Sequence, residues 1–197
     1  NIKTILPQTI DIVSQEVYTI NIISYLFSAY SMCVVIRMEV YTVSFFGHRV
    51  VEDPISLEKE LSKLILSLIQ SKEYVAFLVG RNGDFDQIVS STIRRCKREY
   101  RCDNSAHILV LPYLTAEYRD NEASFRDYYD EIEVCETASG SHFMSAFRMR
   151  NQAMIDRSHL VIFYVKHSNG GAYQAMRYAV RKDKPYINLA GRQADSL

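Results

Sequence analysis

Four short segments of the chain hold the residue types that bind phosphate. They are Gly47-His48-Arg49, Gly80-Arg81-Asn82-Gly83-Asp84-Phe85-Asp86, Arg148-Met149-Arg150-Asn151 and His167-Ser168-Asn169-Gly170-Gly171. Paired glycines at the mouth of a helix let backbone N–H groups approach an anion, and the helix N-terminus favours negative charge. A guanidinium such as that of Arg49 or Arg150 adds charge-assisted bonds in a fork that matches phosphate. Each segment also has an ordinary structural reading. Gly170-Gly171 can be a tight turn, and His48 a hydrogen-bonded structural residue. Asp84 and Asp86 can satisfy orphan N–H groups at a helix start, and Arg148 and Arg150 can form a solvated helix face. The order of the four segments along the chain gives them weight together.

The elements that must position them alternate. Residues 40–46 form an apolar, β-branched and aromatic run stopped by Gly47, which reads as a buried strand. Pro54 then opens a helix in which Leu57, Leu61, Leu64, Ile65 and Leu68 recur at helical spacing. A strand over 74–79, a helix over 84–100 and a strand over 106–111 follow. Residues 115–130 read as a loop with a short helix, and 131–135 as a short strand. A helix over 143–156, a strand over 159–165, a helix over 172–181 and a strand over 185–189 complete the chain. Strands alternating with helices predict an α/β fold, a Rossmann-like three-layer sandwich with a mostly parallel sheet and helices on both faces. Ligands of such folds sit at the carboxyl ends of the strands, where all four segments fall.

Composition sets the limits. The chain has 197 residues, 48% hydrophobic and 23% charged, which is globular and not disordered. Lys+Arg and Asp+Glu both number 23, and this balance argues against nucleic acid as a partner bound through bulk charge. Four cysteines (Cys33, Cys96, Cys102 and Cys135) include no CxxC pair, which favours a reducing, cytoplasmic setting. Residues 17–36 carry no formal charge, a span just long enough for a bilayer, but polar residues interrupt it and no basic cluster flanks it. We read residues 1–37 as an extension outside the core, with sequence upstream of the native start, a packed helix and membrane attachment as its alternatives. Residues 38–197 read as one domain, and nothing else in the chain suggests a membrane.

The segments in register are specific. Ser44-Phe45-Phe46-Gly47-His48-Arg49 is followed by the GRNGDFD loop, then by Arg150-Asn151-Gln152-Ala153-Met154-Ile155-Asp156-Arg157-Ser158, then by Gly170-Gly171-Ala172 running to Tyr178-Ala179. This order over about residues 40–190 resembles the SLOG superfamily, which groups DNA-processing protein A, the cytokinin-activating LOG proteins and YpsA-like proteins; the YpsA-like branch is the nearest in pattern. The resemblance implies a Rossmann-like fold with a pocket for a nucleotide or nucleotide-derived ligand. Carried over, Gly47, His48 and Arg49 would edge that pocket, Gly80 and Gly83 would form a second wall, and Arg150 and Asn151 would face a phosphate or sugar. Ser168, Gly170 and Gly171 would cradle phosphate, while Asp156 would brace the sheet. Relatives often pair through helices beside the pocket, which implies a possible homodimer.

Two departures bear on activity. LOG enzymes cleave the N-glycosidic bond of nucleoside monophosphates with a Glu in PGGxGTxxE, and counting from Gly170 that position is Arg177. A guanidinium cannot stabilise an oxocarbenium-like centre, so LOG-type hydrolysis is disfavoured. Ala172 replaces the usual Thr, and Arg81 and Asn82 stand where small residues are usual. No P-loop, GxSxG elbow or zinc spacing occurs. The acidic cluster Asp127, Asp130, Glu131, Glu133 and Glu136 reads as a solvated face. The expectation is a nucleotide-binding sensory or regulatory domain with no cofactor, no metal and no assigned catalysis. The alternatives are a nucleotide hydrolase, with His48, Asp84 or Asp86 as the acid/base group, and single-stranded DNA binding aided by the basic run Arg94 to Arg101.

Overall fold

The computed structural model describes residues 39–100, 103–136 and 143–191, and the expected extension over 1–37 lies outside the described residues. Its centre is a six-stranded sheet in the order β4-β3-β2-β1-β5-β6. The strands are β1 (Val40–Gly47), β2 (Tyr74–Val79), β3 (Ser105–Leu111), β4 (Glu131–Val134), β5 (Leu160–Tyr164) and β6 (Tyr186–Asn188). Every pairing is parallel, with Val43 opposite Phe77 on one side and Leu160 on the other. The expected Rossmann-like sandwich is therefore what forms, with a sheet that is wholly parallel.

Side chains on β1 alternate between the two faces, so Phe45 packs in one core layer and Phe46 in the other. The first layer lies between the sheet and helices α1 (Pro54–Ser71) and α2 (Asp84–Tyr100), and joins Leu61, Ile65, Phe77, Phe85 and Ile93. The second, with Met154, Ile155, Phe163, Ala175 and Ala179, is covered by α5 (Phe143–Asp156) and α6 (Gly170–Arg181). Burial on both faces is why the central strands read as continuous apolar runs. Asp53 caps α1, its Oδ1 accepting from the Ser56 N–H at 3.0 Å, and Pro54 occupies the first turn, where no N–H is missed.

Strand ends differ from the sequence expectation by at most one residue, and two differences are larger. Residues 115–130 contain two short helices, α3 (Ala116–Asp120) and α4 (Glu122–Tyr128), the first capped by Thr115 Oγ1 at 3.2 Å from the Tyr118 N–H. Helix α6 starts at Gly170 rather than at Ala172, because Gly170 adopts φ +80°, a conformation other residues resist, and so turns the chain into the helix. Among the described residues no helix is long and apolar enough to cross a membrane.

Much of the basic run on α2 is consumed within the fold. Arg94 lies over the Tyr128 ring, Arg95 pairs with Glu58, and Lys97 pairs with Asp130. Beside them His107, 1% exposed on β3, sits against Tyr128 and Tyr129. Burial holds its imidazole down at about 4. The unfolded chain, with an ordinary histidine near 6.5, then binds more protons between these values, so folding stability falls as pH drops through that window. The loss should approach about 3 kcal/mol, and denaturant midpoints at pH 7 and pH 4.5 should lie closer together in His107→Leu than in the native chain. An unchanged difference would show that other groups carry the acid sensitivity.

Candidate functional site

The strand order reverses between β1 and β5: the chain leaves β1 toward β2 on one side, while β5 lies on the other. Loops leaving the two strands diverge there and open a crevice, the usual ligand position in open parallel sheets. A cavity of about 990 Å³ occupies this crevice, with Gly47, His48 and Arg49 at one edge, Gly170 and Gly171 at another, and α5 along a third. Five arginines line it: Arg49, Arg148, Arg150, Arg177 and Arg181. Asp86 is its one carboxylate among the described residues. The charge balance of the whole chain hides this separation, because the other described Asp and Glu side chains lie elsewhere.

Arg150 is the innermost of the five, 5% exposed. Its Nη1 donates weakly to Met154 Sδ at 3.5 Å, and its Nε has no hydrogen-bond partner among the described residues. Burial lowers its pKa, opposed by the negative charge of Asp86. The neighbouring Asn151 Oδ1 is also buried without a partner. Buried polar groups are rarely left unpaired, so this end of the cleft is short of partners that a ligand would bring. Asp86 Oδ2 accepts from the Asn82 N–H at 2.7 Å and so holds the β2–α2 loop. Burial raises the Asp86 pKa, against the pull of that N–H and of the Arg150 charge.

The expected site residues divide by place. Gly47, His48, Arg49, Gly83, Asp86, Arg150, Asn151, Gly170 and Gly171 line the cleft, whereas Gly80, Asp84 and Ser168 do not. Gly80 lies behind Asp86 and Arg150 and faces a second cavity of about 730 Å³ shared with Asp86, Arg81 and Tyr129. Asp84 is bound into the loop, its N–H donating to Arg49 O at 2.8 Å and its Oδ2 accepting from the Val51 N–H at 3.3 Å. His48 Nε2 accepts from the Lys166 and His167 N–H groups at 3.0 and 3.1 Å, fixing the loop after β5. Burial, and then the charge of His167, lower its pKa. Asp156 accepts from the Tyr178 hydroxyl at 2.9 Å and ties α5 to α6.

Arg181 and Gln174 were missed from the sequence. Gly170, Gln174, Arg177 and Arg181 fall at intervals of four, three and four, which places them along one face of α6 leading out of the Gly-Gly mouth. That spacing was the available signal. Arg177, at the position of the LOG glutamate, faces the cleft.

The glycines differ in what they accommodate. A Cβ on Gly83 would stand 2.6 Å from Arg49 Cα, whereas one on Gly171 would meet nothing within 4 Å. Among the described residues no atom therefore demands Gly171. Gly171→Ala should leave the melting temperature unchanged or slightly raised, since alanine is the better helix former. If Gly171 is there for a ligand, the same variant will weaken ligand binding measured by titration. Unchanged binding would make the glycine incidental.

No protein-family model matches the sequence, and neither does any curated protein. Solved structures do match. DNA processing protein A from Streptococcus pneumoniae superposes with a TM-score of 0.58 over 80% of this chain, at 15% identity. The chain spans 53% of that protein's length. DNA processing protein A from Helicobacter pylori, whose structure describes a single-stranded DNA binding mode, superposes with a TM-score of 0.55 at 17% identity, covering 79% of this chain and 68% of the other.

This likeness overturns one expectation. Nucleic acid was set aside as a partner on the chain's neutral charge, yet a protein of this fold binds single-stranded DNA. Net charge is no ground for that exclusion, because among the described residues the cleft concentrates five guanidinium groups around one carboxylate, and local potential rather than the total governs attraction of a polyanion. The likeness does not single out the YpsA-like branch. By fold, the described chain is a Rossmann-like α/β domain similar to the one in DNA processing protein A.

Proposed function

We propose that the chain binds single-stranded DNA through the arginine-lined cleft and carries out no bond cleavage there. The observation that carries the reading is the charge of the cleft, five arginines against Asp86. Support also comes from the fold, shared with a protein whose structure describes a single-stranded DNA binding mode. Gly170 and Gly171 at the N-terminus of α6 leave backbone N–H groups open to a phosphate, and Arg148, Arg177 and Arg181 add charge along the approach. Cleavage has few groups to perform it. His48 Nε2 and Asp84 are engaged by backbone N–H groups, and a guanidinium stands at the LOG glutamate position.

The test is fluorescence anisotropy of a labelled oligothymidylate with the full chain at several salt concentrations. If about four phosphates are neutralised, log K should fall against log salt with a slope near −3, from about 0.7 per phosphate for single strands. A flat salt response, or no binding at low salt, would sink the reading.

A second reading, a nucleotide or nucleotide-derived small ligand held in a sensory or regulatory role, is favoured by the inner end of the cleft. Arg150 and Asn151 there offer buried groups that a polymer passing over the rim need not reach. Competition decides between the two. A mononucleotide that displaces the oligothymidylate at micromolar concentration would favour the small ligand, and displacement only by longer strands would favour DNA.

A further inference from the structure

Asp86 and Arg150 converge on Gly80 without touching. A Cβ built on Gly80 would lie 2.7 Å from Asp86 Oδ2 and 2.8 Å from Arg150 Nη1, so these atoms are no more than about 5.5 Å apart. They nevertheless form no ion pair within 4.0 Å. A single oxygen at hydrogen-bond distance from both spans a gap of this size, since such bonds run about 2.7–3.0 Å each.

The chemistry of the two sides restricts what fills it. The guanidinium only donates, and an ionised carboxylate only accepts. With Asp86 ionised, the form that the Asn82 N–H and the Arg150 charge favour, the bridging atom accepts from Arg150 and donates to Asp86. A phosphodiester oxygen accepts only and would face the carboxylate with like charge. A hydroxyl does both. Arg150 is 5% exposed and its Nε has no partner among the described residues, nor has the adjacent acceptor Asn151 Oδ1. The inner end thus mixes unmet donors with unmet acceptors, unlike the purely cationic rim.

We propose that the Asp86–Arg150 gap is a sugar-hydroxyl subsite, so that the cleft binds phosphate at its rim and a free hydroxyl of the nucleotide sugar at its inner end. This rests on the reading of the cleft as a nucleotide or DNA site and adds which end of the ligand enters. The hydroxyl has two sources, a ribose in a ribonucleotide or the 3′ terminus of a DNA strand. Internal DNA sugars have none to offer. Asp86 also holds the β2–α2 loop through the Asn82 N–H, so the loop and the subsite are coupled.

The experiment titrates the full chain with adenosine, 2′-deoxyadenosine and 2′,3′-dideoxyadenosine monophosphates, and with oligothymidylates ending in a 3′-hydroxyl or a 3′-deoxy residue. Loss of the bridging hydroxyl should weaken binding by about tenfold or more, because it leaves buried charged groups unpaired. A loss on going to 2′-deoxyadenosine monophosphate identifies a ribose 2′-hydroxyl. A loss only in the dideoxy nucleotide and the 3′-deoxy strand identifies a terminal 3′-hydroxyl. In Asp86→Ala the discrimination should shrink to less than about threefold. Gly80→Ala should do the same by filling the gap, and circular dichroism of both variants checks that they fold. Equal binding of hydroxyl and deoxy ligands would overturn the subsite while leaving the phosphate cleft standing. So would discrimination that persists in folded Asp86→Ala, or that follows a change of base from adenine to guanine instead of the sugar. Absence of binding by every nucleotide and strand would overturn the subsite and the underlying reading together.

Discussion

Gly47→Ala is expected to destabilise the chain by about 3 kcal/mol, the upper part of the range for forcing extra volume into a packed core. Gly47 ends β1 opposite Tyr164 of β5, and a Cβ there would stand 2.7 Å from Phe85 Cβ and collide with the ring. Phe85 cannot step aside cheaply. It is fully buried in the first core layer and stacks on Tyr164 at 5.9 Å between centroids. Moving it would shift the first turn of α2 and with it Asp86. For a chain of this size the melting temperature should fall by about 6–12 °C. Thermal unfolding of Gly47→Ala beside Gly171→Ala makes the comparison internal, since the second has open space. A loss below about 1 kcal/mol would mean that Phe85 and α2 relax together and that the loop is softer than its packing implies.

Arg150→Gln should weaken binding of single-stranded DNA or nucleotide by about 100-fold, whereas Arg148→Gln should cost about threefold. The two residues sit two positions apart on α5 and differ in environment. Arg150 is buried at the inner end with an unpartnered Nε, while Arg148 is exposed on the rim. Losing one partner of a desolvated, charge-assisted contact costs about 2–5 kcal/mol, and losing a rim charge mainly alters the on-rate and salt response. Glutamine keeps a hydrogen-bonding head but removes the charge and the fork. Titration with both variants at one salt concentration measures the ratio. Equal losses would mean that the inner end of the cleft adds nothing to binding beyond the rim, and would leave Arg150 a structural role.

The two arginines show where sequence reading ends. Both were visible as an Arg-x-Arg pair on a helix before an apolar strand, but a helical pattern does not tell which turn meets the cleft and which meets solvent. The α6 face shows the same limit. Gly170 and Gly171 were recognised by type, while Arg177 was noticed only as a departure and Arg181 not at all. Their shared face matters only once α6 is laid beside the β1 loop. For Asp84 and Asp86, two residues apart at one helix start, sequence offered the same capping role. The fold turned one into the loop beside Val51 and the other toward Arg150.

What the sequence determined by itself was the order and kind of the elements that build the sheet. Apolar strands bounded by glycine and proline, and helices of 3.6-residue period, follow from local sterics and from the need to bury one face. It also supplied the residue types at the strand ends. The tertiary structure alone decided that β5 inserts beside β1, which opens the crevice, and that five arginines from three segments converge on it around one carboxylate. Net charge and linear spacing are blind to that convergence, because electrostatic potential depends on distances through space between groups as far apart in the chain as Arg49 and Arg181.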